Sequence, residues 1–93
     1  MSQESIDLSR RPQLGGGFRL QWEPAQNCHV LLYPEGMVKL NQSAGEILTR
    51  CNAERSIADI VSDLEQAFQA SGLSDEVVAF LNLAKEQKWV SWS

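Results

Sequence analysis

Apolar positions alternate with polar ones through Phe18, Leu20 and Trp22, with Arg19 and Gln21 between them, and this period of two marks a strand with one buried face. The turn formers Glu23-Pro24-Ala25-Gln26-Asn27 follow. Cys28 to Tyr33 is then an apolar run of strand length and predicts a second strand. Tyr33-Pro34-Glu35-Gly36 puts Pro where a turn wants φ near −65° and Gly where positive φ is free of steric cost, so a tight hairpin is expected. Met37 to Leu40 returns as a short third strand, antiparallel to the second and a candidate sheet edge, with one charge at Lys39.

From Asn41 the period changes to 3.6. Ala44, Ile47, Leu48 and Cys51 share one helical face, which predicts a first helix over about residues 42 to 51, capped by Asn41 or by Ser43 with Glu46. Ser56 with Asp59 resembles a second capping box, and Ile57, Ile60, Val61, Leu64 and Phe68 form a clean apolar stripe ending before Ser71-Gly72. A third helix starts with Ser74 as its cap. It carries Asp75 and Glu76 in its first turn, Lys85 and Lys88 near its end, and Val77, Phe80, Leu81 and Ala84 facing inward. Trp89-Val90-Ser91-Trp92 alternates again, as a short extended or strand segment would. Residues 1 to 17 offer only Ile6, Leu8 and Leu14 for burial and read as a mobile tail, with Gly15-Gly16-Gly17 as a flexible joint. The fold class is therefore α+β: three antiparallel strands, then three helices, in a single domain over residues 18 to 93.

Composition narrows what such a domain can do. Ninety-three residues leave no room for a second core. The net charge is −4, and the excess acid lies in residues 46 to 93, with eight acidic against four basic side chains. A whole basic face, as phosphate-rich or anionic membrane partners demand, is missing, so neither nucleic acid nor membrane is expected as a partner. The longest apolar run, Val30 to Tyr33, is far short of a membrane span. The acidic, non-apolar beginning of the chain does not read as a secretory signal, so a cytoplasmic protein with reduced thiols at Cys28 and Cys51 is expected.

Catalytic chemistry finds no constellation. His29 is the one imidazole, and beside Cys28 on a strand it points to the opposite face, which forbids a Cys/His dyad. Cys28, His29 and Cys51 lack metal-ligand spacing. The glycine run has neither a strand before it nor a helix and Lys-Ser or Lys-Thr after it, as a phosphate loop requires. The carboxylates sit at helix starts and on polar faces. No catalytic residue, cofactor or metal is assigned, and the chain is read as a non-enzyme.

The third helix is more apolar than one face needs, since Val78 and Leu83 lie outside its inward stripe and Trp89 follows. A small three-helix core or a dimer could absorb that surplus. Beside an open edge strand, it is also the geometry that captures an extended peptide by strand addition.

These residues carry a family likeness. His29-Val-Leu-Leu-Tyr-Pro-Glu-Gly36, Leu40-Asn41, Ala44, Glu46-Ile47-Leu48, Ser56-Ile57, Ile60-Val61, Leu64, Asp75 and Phe80-Leu81 together resemble the PqqD family of pyrroloquinoline quinone (PQQ) biosynthesis, over about residues 12 to 90. The resemblance implies a fold similar to a winged helix-turn-helix and shared with peptide-recognition domains of ribosomally made natural products. It also implies a peptide chaperone without cofactor, which binds the precursor peptide PqqA and presents it to the radical S-adenosylmethionine enzyme PqqE. Carried onto this chain, it places the peptide along Met37, Val38, Lys39 and Leu40 as an added strand, with Val77, Val78, Leu81 and Lys85 as the opposite wall. Val38, at the middle of the edge, is expected to supply a backbone donor. Lys39, Lys85 and Lys88 are expected to meet acidic groups of the precursor, for orientation more than affinity. Where the family usually has Asp-Gly after the first helix this chain has Asn52-Ala53, and Asn52 is expected to take the left-handed cap. Two rival readings stay open: a winged-helix DNA-binding regulator, which Asp75 and Glu76 at the start of the third helix oppose, and a structural dimerisation module pairing through the same edge. Both a monomer and a homodimer are compatible with the sequence.

Overall fold

In the computed structural model, which describes residues 7 to 92, the elements in chain order are β1 (Gln13–Leu14), β2 (Arg19–Glu23), β3 (Cys28–Tyr33), β4 (Gly36–Lys39), α1 (Gln42–Thr49), α2 (Ile57–Ala67), α3 (Ser74–Glu86) and β5 (Val90–Ser91). β2, β3 and β4 form an antiparallel sheet in that order, which leaves β4 at an edge. Register pairs Leu20 with Leu31 and Leu31 with Val38. Phe18, Leu20, Leu31, Val38 and Leu40 therefore share the face turned to the helices, as the alternation predicts. Tyr33 pairs with Gly36 across a two-residue loop, Pro34-Glu35. The positive φ expected at Gly36 does not occur: among the described glycines only Gly17 and Gly72 have it.

Behind the sheet, Leu31, Ile47, Leu48, Ile57, Ile60, Val77, Leu81 and Ala84 are almost wholly buried. Each large aliphatic side chain so placed contributes about 1.5–3 kcal/mol over its exposed state. Asn41 caps α1, its side chain accepting from Ala44 N at 2.8 Å, so the Ser43 alternative is not used. Ser56 and Asp59 form the expected capping box on α2. Phe68, placed on the buried stripe of α2, is 45% exposed beyond the end of the helix. Ser74 is the first residue of α3 rather than its cap. Leu73 occupies the cap position without a side-chain hydrogen bond, and its own N–H donates to Glu65 Oε2 at 3.1 Å.

Residues 7 to 17 are not the mobile tail that their composition predicts; the part of that expectation covering residues 1 to 6 lies outside the described residues. β1 pairs with β5, Pro12 is fully buried, and Gly15 N donates to Trp89 O at 2.8 Å. A β-carbon at Gly15 would collide with the carbonyl oxygen of Lys88, so this glycine permits a close approach rather than acting as a joint. Further back, the carbonyls of Arg10 and Leu8 accept from Ile57 N at 2.9 Å and Ala58 N at 3.0 Å. A strap that opens with a turn at Leu8-Ser9 thus satisfies the first two amides of α2 while Ser56 satisfies the third. Backbone hydrogen bonds to a helix end, the β1–β5 pairing and the burial of Pro12 together order a segment with few apolar side chains.

At the α1–α2 connection the left-handed residue is Ala53, with φ 67°, and not Asn52. Asn52 instead accepts from Glu54 N at 3.1 Å through its side chain, and its backbone bridges to Gln13.

Candidate functional site

Hairpin geometry decides which backbone groups of β4 are free. In an antiparallel pair, residues alternate between exchanging hydrogen bonds with the facing strand and turning them away. Leu40 N donates to His29 O at 3.0 Å, which places Leu40, Val38 and Gly36 in the bonded set. The backbone N–H and C=O of Met37 and Lys39 therefore point outward from the open edge. Val38 has its donor committed to Leu31, contrary to the expectation that it is free; the outward donors of β4 are those of Met37 and Lys39.

Facing this edge, a cleft of about 380 Å³ separates β4 and the start of α1 from α3. Val38, Lys39 and Leu40 line one side, and Glu76, Phe80 and Leu83 the other, with Trp89 at one end. Phe80 and Trp89 touch at 6.4 Å between ring centroids and Leu83 is 46% exposed, so the α3 wall is apolar with a single acid, Glu76. Lys39 is the cation on the opposite wall.

Of the eight residues expected to bind peptide, the structure brings Val38, Lys39 and Leu40 to the cleft and leaves Met37 48% exposed on the same edge. The wall expected from α3 is rotated. Val77 and Leu81 are buried in the core at 2% and 0% exposure, and Lys85 lies with its ammonium 4.3 Å from the Trp92 ring centroid. Neither Val78 nor Lys85 lines the cleft. Glu76, Phe80 and Leu83, one or two residues away on the helix, form it instead. Leu83 carried a signal in the sequence, as one of the two apolar residues left outside the inward stripe; Val78, the other, does not line the cleft.

Other reactive groups stand apart from this site. Cys28 and Cys51 are free thiols, the first half-buried on β3, and burial pushes the Cys51 thiol up to about 12. No helix among the described residues is long and apolar enough to cross a membrane.

An α+β fold whose sheet has an open edge facing an apolar helix across a cleft has the geometry of a scaffold that can take up an extended chain. Residues 28 to 90 match the family described as Coenzyme PQQ synthesis protein D (PqqD), and the chain belongs to that family. It is similar to the PqqA binding protein of Azotobacter vinelandii, with 58% identity over 84 residues covering 89% of this chain and 91% of that protein. It is also similar to the PqqA binding protein of Stutzerimonas stutzeri, with 51% identity over 86 residues covering 91% and 94%. The solution NMR structure of the PqqD part of Methylobacterium extorquens PqqCD, described as a stand-alone recognition element for ribosomally made, modified peptides, has the same fold. Its TM-score is 0.77 at 24% identity, covering 94% of this chain and 95% of that one.

Proposed function

We propose that this chain binds the precursor peptide PqqA as a fourth strand on β4 and presents it to the radical S-adenosylmethionine enzyme PqqE during PQQ biosynthesis. The observation that carries the reading is the outward-facing backbone of Met37 and Lys39 opposite the apolar wall of Phe80 and Leu83. The names of the relatives supply the peptide. Two residues with free donor and acceptor groups give register and orientation, while burial against Phe80, Leu83 and Trp89 gives most of the affinity. The role is that of a binding partner acting on the conformation of the peptide, with Lys39 and Glu76 on opposite walls fixing its polarity by charge.

The test follows from the bonding parity. Lys39→Pro removes an outward N–H at an edge position where Pro is tolerated, and Lys39→Ala removes the same side chain while keeping the donor. Calorimetric titration with PqqA is expected to show Lys39→Pro binding at least roughly tenfold more weakly than Lys39→Ala, with both variants folded by circular dichroism. Equal affinities would overturn strand addition at this edge.

A further inference from the structure

The cleft does not end where β4 ends. Beyond Lys39 the chain turns into α1, and no further sheet edge is offered, yet the depression continues between α1, the end of α2 and the start of α3 as a second hollow of about 200 Å³. The two share Ser43, Ile47 and Glu76 as a common sill. The floor of the second hollow is Ile47, Leu64 and Val77, all buried, and its outer wall is Phe68 and Leu73. Phe68 is 45% exposed there, an apolar ring beyond the last turn of α2 with one side open to solvent.

We propose that this hollow is a side-chain subsite for the same peptide, taking one branched aliphatic or aromatic residue next to the segment paired with β4. The inference rests on the strand-addition reading, because continuity with that cleft is what identifies the occupant. A four-residue edge gives a peptide few backbone bonds, and an extended chain leaving it along α3 passes directly over the hollow. The volume suits a single large apolar side chain. Its acids disfavour a carboxylate: Glu46 is paired with Arg50 at 2.8 Å, and Glu76 stands on the sill. Binding is then bipartite: β4 supplies register, and the Phe68 hollow supplies an anchor buried away from water, as the dominant residues of peptide interfaces are.

The experiment is a titration of isotope-labelled protein with PqqA, following the amides of Met37 and Lys39 and those of Phe68 to Leu73, together with calorimetry on Phe68→Ser. This half-exposed site tolerates the change, and circular dichroism verifies the fold. The expected result is that both sets of amides shift along one binding curve and that Phe68→Ser weakens binding about tenfold, with the Met37 and Lys39 shifts preserved at saturation. Shifts at Met37 and Lys39 with none at 68 to 73, and unchanged affinity for Phe68→Ser, would overturn the subsite and leave strand addition standing. No shift at Met37 and Lys39 would overturn both.

Discussion

The imidazole of His29 lies against the bare Cα of Gly45, so close that a β-carbon there would sit 2.8 Å from Nδ1 and 3.2 Å from the His29 Cβ. The ring also meets the indole of Trp22 in a T-shaped contact, with centroids 5.0 Å apart. This contact seats the first turn of α1 on β3 and so fixes one wall of the cleft.

Gly45→Ala sets two effects against each other. Ala favours a helix interior over Gly by about 1 kcal/mol. Overpacking against a clamped neighbour costs about 1–3 kcal/mol, and the 3.2 Å contact is to an atom close to the backbone of β3, which cannot swing away. The clash is expected to win, with a net loss of about 1 kcal/mol and a fall in Tm of roughly 4–8 °C. Thermal melting of the variant checks the sign.

Ala53 holds φ at 67°, a conformation in which an L side chain costs about 1–2 kcal/mol. Its N–H donates to Pro12 O at 2.9 Å, so the position is locked by the strap. Ala53→Gly removes the side-chain strain but raises the entropy of the unfolded chain. A net stabilisation of about 0.5–1 kcal/mol is expected in urea denaturation.

Deleting residues 1 to 12 removes the carbonyls that receive Ile57 N and Ala58 N but leaves the Ser56 and Asp59 box in place. Hydrogen exchange is therefore expected to accelerate at Ile57 and Ala58 while Asp59 stays protected. Uniform acceleration along α2 would show that the strap holds the whole helix rather than its first turn.

Burial raises the Cys51 thiol from 9.0 to about 12. The folded chain keeps this proton where the unfolded chain has lost it, so the stabilisation is fully present below pH 9 and declines as pH rises towards 12. Denaturation measured between about pH 8 and pH 10 is expected to show falling stability, with a shallower slope in Cys51→Ala. At neutral pH a thiol reagent is expected to label Cys28 ahead of Cys51 in the native protein.

Where periodicity was strong the sequence was a good guide. The strand from Cys28 to Tyr33 and the capping box at Ser56 stand where the pattern puts them. The strap from Leu8 to Pro12 was invisible because its bonds run from main-chain carbonyls to main-chain amides, which no side-chain pattern records. The α3 wall was misplaced for another reason. Val77, Val78, Phe80, Leu81, Leu83 and Ala84 spread apolar surface over two adjoining faces, and periodicity alone does not say which face the rest of the core claims. The bonding parity of β4 was within reach, since a two-residue loop between Tyr33 and Gly36 already commits Val38 inward.

Pairing of β1 with β5 has a consequence for how such a unit is used. Gln13 faces Ser91 and Leu14 faces Val90, so the segment ahead of the sheet and the one that follows α3 are clasped to each other, and parting either releases both. A unit clasped in this way is used as one piece, because a pull on either flank loads the same two-residue ladder.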